Sequence, residues 1–169
     1  MCSLEQATAE WDGKSADDIR HTFKRHQKED YFVDTFIRML EFPHTQKGAT
    51  WQLKAYLEAG NTVSANQIDE VYRLLPQLVE WESRLHVLQS IPFMPITAEH
   101  IETIEPFLRN GLQDKNKFVR AWSYNGFNEL AAQHPSFSAE ADQLLESAMI
   151  SEAPSVKARI RNILKTKKL

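Results

Sequence analysis

The feature that most constrains this chain is a recurring five-residue helix start. Ser15-Ala-Asp-Asp-Ile19, Ser64-Ala-Asn-Gln-Ile68 and Thr97-Ala-Glu-His-Ile101 share the pattern S/T-A-x-x-I. Ser138-Ala-Glu-Ala, with Asp142 where the isoleucine would stand, is a degraded fourth copy. A Ser or Thr hydroxyl in such a position accepts from a backbone N–H of the first helical turn. Asp18 or Gln67, three residues on, reaches back and completes a capping box. The isoleucine then opens the buried stripe. Copies 49, 33 and 41 residues apart predict a repeat of helical pairs whose first unit is longer.

Between the starts the apolar spacing is helical. Ile101, Ile104, Phe107, Leu108 and Leu112 keep to one face of a 3.6-residue period, as do Ile68, Val71, Leu74, Leu75 and Leu78. No segment sustains a period of two, and five glycines are few for a sheet protein with many turns. Breakers set the ends. Pro43 and Gly48 are read as bracketing a turn, Gly60 as a left-handed C-cap, and Pro76 as lying in a first turn. Pro92, Pro95 and His134-Pro135 end helices, and Pro154 opens the last. The expectation is an all-α chain of about nine helices over 15–28, 29–42, 46–59, 65–75, 76–91, 98–112, 115–134, 139–150 and 154–167.

A chain of 169 residues, 42% hydrophobic and 25% charged, suits one domain with its own core. Cys2, the single cysteine, excludes an internal disulfide. The first residues lack the charged-then-apolar pattern of a signal segment, and no apolar run reaches membrane-spanning length. The default expectation is therefore a cytoplasmic protein without a membrane partner. The net charge of −3 is unevenly spread. Residues 98–153 hold nine acids and four bases, whereas 154–169 hold six bases (Lys157, Arg159, Arg161, Lys165, Lys167 and Lys168) and no acid. That segment reads as a solvated last helix with cations suited to its C-terminal dipole, or as a surface for an anionic partner.

Residues 104–132 resemble the HEAT repeat. The family pattern is a first helix with a proline and spaced leucines, then L-x-D, a short loop, V-R, and a second helix. Here these are Pro106, Leu108, Leu112, Asp114, Val119, Arg120, Ala121, Phe127 and Leu130. Val156-Lys157, 37 residues after Val119-Arg120, matches more loosely, as do residues 74–91 and 49–57. The resemblance covers about residues 46–167 and leaves 1–45 as a helical N-terminal cap. It implies a short right-handed α-α superhelix in which each amphipathic hairpin buries its stripe against the next. It also implies that Asp114 and Arg120 orient successive repeats at the inter-helix turn.

Catalytic patterns are weak. There is no phosphate-binding glycine loop, nucleophile elbow or H-E-x-x-H. His21 and His26, even with Asp30 or Asp34 nearby, are poorly spaced for a metal, and Cys2 sits where the chain frays. Glu102 and Glu105 share a helix face, as solvated carboxylates often do. No catalytic residue, metal or cofactor is expected. Trp51, Trp81 and Trp122 fall on proposed second helices, and Lys54, Arg84, Arg120, Lys157 and Arg161 recur nearby. Such residues are either core packing with outward charges or a ladder of aromatics and cations. If a ladder, Trp51, Lys54, Arg84, Arg120, Trp122, Lys157 and Arg161 form the partner-binding set. The leading expectation is a HEAT-like scaffold binding a protein through its concave face. The alternative is a nucleic-acid-binding module resembling the DNA-alkylation-repeat proteins, whose aromatic–acid neighbours would be Trp11-Asp12 or Trp81-Glu82. The net negative charge weighs against that alternative.

Overall fold

The computed structural model describes residues 3–167, so Cys2 and Lys168 lie outside the described residues. All regular structure there is helical, in ten α-helices joined by short 3-10 turns, with no strand among the described residues. The helices are α1 (Leu4–Ala9), α2 (Ala16–His26), α3 (Phe32–Arg38), α4 (Pro43–Glu58), α5 (Ala65–Arg73), α6 (Trp81–Ser90), α7 (Ile101–Leu112), α8 (Lys117–Gln133), α9 (Ser138–Ser151) and α10 (Pro154–Lys167). They group into two compact units, residues 1–94 and 95–169.

In the first unit α4 packs along α6 and receives α1, α2 and α3. Phe32 lies at its centre, edge-on to Phe23 at 5.7 Å and to Phe36 at 5.2 Å between ring centroids. Tyr72 is fully buried, and its hydroxyl donates to the Met94 carbonyl at 2.8 Å. In the second unit α8 contacts α7, α9 and α10. Ala121, Leu145, Ala148, Val156, Ile160 and Ile163 form one buried cluster there. Gly111 on α7 lies against Ser123 on α8 so closely that a Cβ would collide with the serine hydroxyl.

Three of the repeated starts carry a cap. Ser15 accepts from the Asp18 N–H at 3.2 Å. Ser64 and Gln67 complete a reciprocal box at 3.3 and 2.9 Å. At the third, the Thr97 N–H donates to His100 Nδ1 at 3.0 Å, and a 3-10 turn precedes α7. The fourth differs. Ser138 is the first residue of α9 and donates weakly to the Ala131 carbonyl, so it makes no cap there.

Other differences have local causes. There are ten helices among the described residues rather than nine, because Ser3 caps a short additional helix, α1. Pro43 does not bracket a turn with Gly48. It is the first residue of α4, where its missing N–H has no helical partner to lose, and Gly48 is buried within that helix. Pro76 sits in the 3-10 turn Leu75–Gln77, and α6 starts only at Trp81. The expected helix 29–42 is α3 followed by the 3-10 turn Met39–Glu41. Gly60 does end α4 with φ of +88°, a conformation costly for other residues.

One device recurs at a more even spacing than the caps. The fourth residues of α4, α6, α8 and α10 are Gln46, Arg84, Arg120 and Lys157, spaced 38, 36 and 37 residues apart. Each donates to a main-chain carbonyl just upstream of its own helix. Gln46 reaches Leu40 at 3.0 Å, Arg84 reaches Val79 at 2.9 Å, Arg120 reaches Asp114 at 2.9 Å and Lys157 reaches Ile150 at 3.1 Å. The end of the preceding element has carbonyls that no helix satisfies, and a long donor four residues into the next helix closes that gap. Gln46 and Arg120 also fasten the following hairpin. Gln46 donates to the Gln77 carbonyl at 2.9 Å and accepts from the Val79 N–H at 3.1 Å. Arg120 binds both carboxylate oxygens of Glu152, at 2.9 and 3.0 Å.

Candidate functional site

The residues expected to form a ladder of aromatics and cations do not share one position in their helices. Trp51 is ninth in α4, Trp81 first in α6 and Trp122 sixth in α8. Trp51 is half-buried and edge-on to Phe23 at 6.2 Å. Lys54 pairs with Glu58 at 3.2 Å. Arg84, Arg120 and Lys157 close the turns described above. Arg161 is exposed on α10. Asp114 accepts from the Asn116 N–H at 2.8 Å and shapes the turn, while its own carbonyl receives Arg120. The guanidinium of Arg120 holds the Glu152 carboxyl below the ordinary carboxylate range.

The acids considered for base chemistry are also engaged. Asp12 accepts from the backbone N–H groups of Lys14 and Ser15 at 2.8 and 2.9 Å and stays below its ordinary pKa for that reason. Glu82 pairs with Lys47 at 2.8 Å. Around that pair lie further polar groups of the first unit. The Thr50 hydroxyl lies 3.0 Å from His86 Nδ1, and Lys47 stands 5.9 Å over the Trp11 ring. Burial, with Lys54 and Lys47 nearby, pushes His86 down to about 4. The imidazole is therefore neutral near pH 7. Thr50 is fully buried, so this Thr–His contact presents no accessible nucleophile. Among the described residues no three His, Cys, Asp or Glu side chains are grouped to hold a metal.

The second unit offers a different arrangement. The Arg159 guanidinium lies over the Trp122 ring, 3.9 Å from its centroid. Arg159 is the sixth residue of α10 and Trp122 the sixth of α8, so equivalent positions of successive hairpins meet. Phe118, Trp122, Asn125 and Glu129 share one face of α8 by helical spacing. Phe118 is 50% exposed and places an apolar ring on that face. Glu129 is half-buried, and desolvation raises its carboxyl above the usual range. No carboxylate pairs with Arg159 and no base pairs with Glu129 among the described residues. Arg109 and Arg120 of the same unit, by contrast, each hold a carboxylate in a two-pronged grip.

This face contains only one of the expected site residues, Trp122. Arg159 was counted in the sequence merely as part of a basic segment. The 37-residue interval from Trp122 was the signal that pairs the two. Phe118 and Glu129 carried none beyond their spacing on one helix. Comparison of the chain with family models, curated proteins and solved structures finds no match.

Proposed function

We propose that the chain is a HEAT-like repeat scaffold that binds a protein partner through the α8–α10 face bearing Trp122 and Arg159, without catalysis of its own. The observation that carries this reading is the Arg159 guanidinium over the Trp122 ring, an aromatic with a cation that pairs with no described acid, beside the half-exposed Phe118. Aromatic residues and arginine are the side chains most enriched where proteins bind proteins. The fourth-position donors support the repeat assignment, because they recur at 36 to 38 residues and fasten each turn in the same way. No described helix is long and apolar enough to cross a membrane.

The test is capture from nuclease-treated native lysate by the wild-type chain, Trp122→Ala and Phe118→Ser, with quantitative mass spectrometry. A specific protein retained by the wild type and depleted at least fivefold by both variants, each folded by circular dichroism, is the expected outcome. Equal retention by all three chains would refute a role for this face. Nucleic-acid binding through the same face and α10 is the competing reading. It requires affinity for oligonucleotide that falls steeply with salt.

A further inference from the structure

The α8–α10 face has two opposite charges, Arg159 and Glu129, that pair with no described residue of the unit, and their placement specifies a ligand. The Arg159 guanidinium carbon stands 3.9 Å over the Trp122 ring and the side chain is only partly buried; a guanidinium held by one face on an aromatic can take a carboxylate at its N–H edge. Glu129 follows Trp122 by seven residues on the same side of α8, an axial offset of about 10 Å at 1.5 Å per residue. An extended chain covers that distance in about three residues. Phe118, one turn before Trp122, supplies an apolar contact at the other end.

We propose that this face binds an extended protein segment carrying an Asp or Glu side chain for Arg159 and, about three residues away, a Lys or Arg for Glu129. The inference rests on the protein-binding reading of the same face. Opposite charges at fixed separation give direction and register to a segment laid along α8, because a reversed segment would set like charges together. A polyanion fits less well. A phosphate strand seated on Arg159 would run past the unpaired carboxylate of Glu129. That carboxylate is already harder to ionise than usual because it is desolvated, and a lysine beside it would relieve the cost.

The experiment is selection of random twelve-residue displayed peptides on the wild-type chain, followed by fluorescence anisotropy of the recovered peptides. Wild type, Arg159→Ala, Arg159→Lys, Glu129→Gln and Phe118→Ser are compared after thermal melts establish that each is folded. Arg159→Lys, which keeps the charge and loses the planar fork, substitutes should Arg159→Ala melt early. The expected result is peptides with an acid and a base about three residues apart, weakened roughly three- to tenfold by Arg159→Ala and by Glu129→Gln. Peptides that bind Arg159→Ala as tightly as wild type but are lost with Phe118→Ser would overturn the charge rule and leave the protein-binding face standing. Peptides indifferent to every variant, or no peptides at all, would overturn both. Tighter binding of a dT12 oligonucleotide than of any peptide, strengthened by Glu129→Gln, would assign the face to nucleic acid and overturn both as well.

Discussion

His86 lies between Lys47 and Lys54, with Glu82 as its compensating acid and Thr50 as its hydrogen-bond partner. Its folded pKa of about 4 lies below the ordinary 6.5, so the unfolded chain takes up the proton first. Stability is therefore full above about pH 6.5 and falls as pH drops toward 4, by up to about 3 kcal/mol. Urea melts between pH 7 and 4 should show that slope, and His86→Gln should flatten it. A second residue is set against its surroundings more simply. Gln52 is fully buried in α4 with neither amide atom bonded. Each such group costs about 1–3 kcal/mol. Gln52→Met, of similar length, should raise the thermal midpoint. These conditions were illegible in the sequence, since burial of a histidine or glutamine on a helix depends on what the other helices bring. The cap residues Ser15 and Ser64 were legible, because capping is settled within four residues.

At the scale of elements, helix existence followed from apolar spacing, while prolines misled. Pro43 and Pro76 are the same signal with different outcomes, one opening α4 and the other lodged in a 3-10 turn before α6. What separates them is tertiary. Gln46 draws the Gln77–Val79 strand of backbone onto α4, and that contact holds residues 78–80 out of helix. The α7–α8 crossing is fixed by Gly111 lying on Ser123. Gly111→Ala should cost about 1–3 kcal/mol by overpacking, more than helix propensity returns. Adding Ser123→Gly should recover a good part of it, and a double-mutant cycle in urea measures the coupling. Arg120→Met should destabilise by about 2–3 kcal/mol, because it leaves the Glu152 carboxylate, 11% exposed, without its partner. Denaturation of that variant against Arg120→Met/Glu152→Gln checks whether the stranded charge is the cause.

On the scale of the molecule, charge separates by segment, with acids over 98–153 and bases over 154–169. Several of those bases are engaged within their own unit. Lys167 pairs with Asp142 at 2.5 Å, and Lys157 bonds the Ile150 carbonyl. Partner affinity should thus fall only about two- to threefold from 50 to 200 mM salt, measured by anisotropy, rather than by the orders of magnitude that phosphate contacts produce. The all-helical class was readable from spacing alone. The recurrence of turn-closing donors every 36 to 38 residues was hidden because Gln46, Arg84, Arg120 and Lys157 are chemically dissimilar, alike only in carrying a donor on a long stem. That dissimilarity has a consequence for how such a chain can change. The fastening sits at the fourth position of each second helix, whereas the Trp122–Arg159 contact sits at the sixth. The outward residues of a helix can change while the bonds that close its turn are left untouched. On the proposed reading, recognition and turn closure occupy separate positions of the same helices.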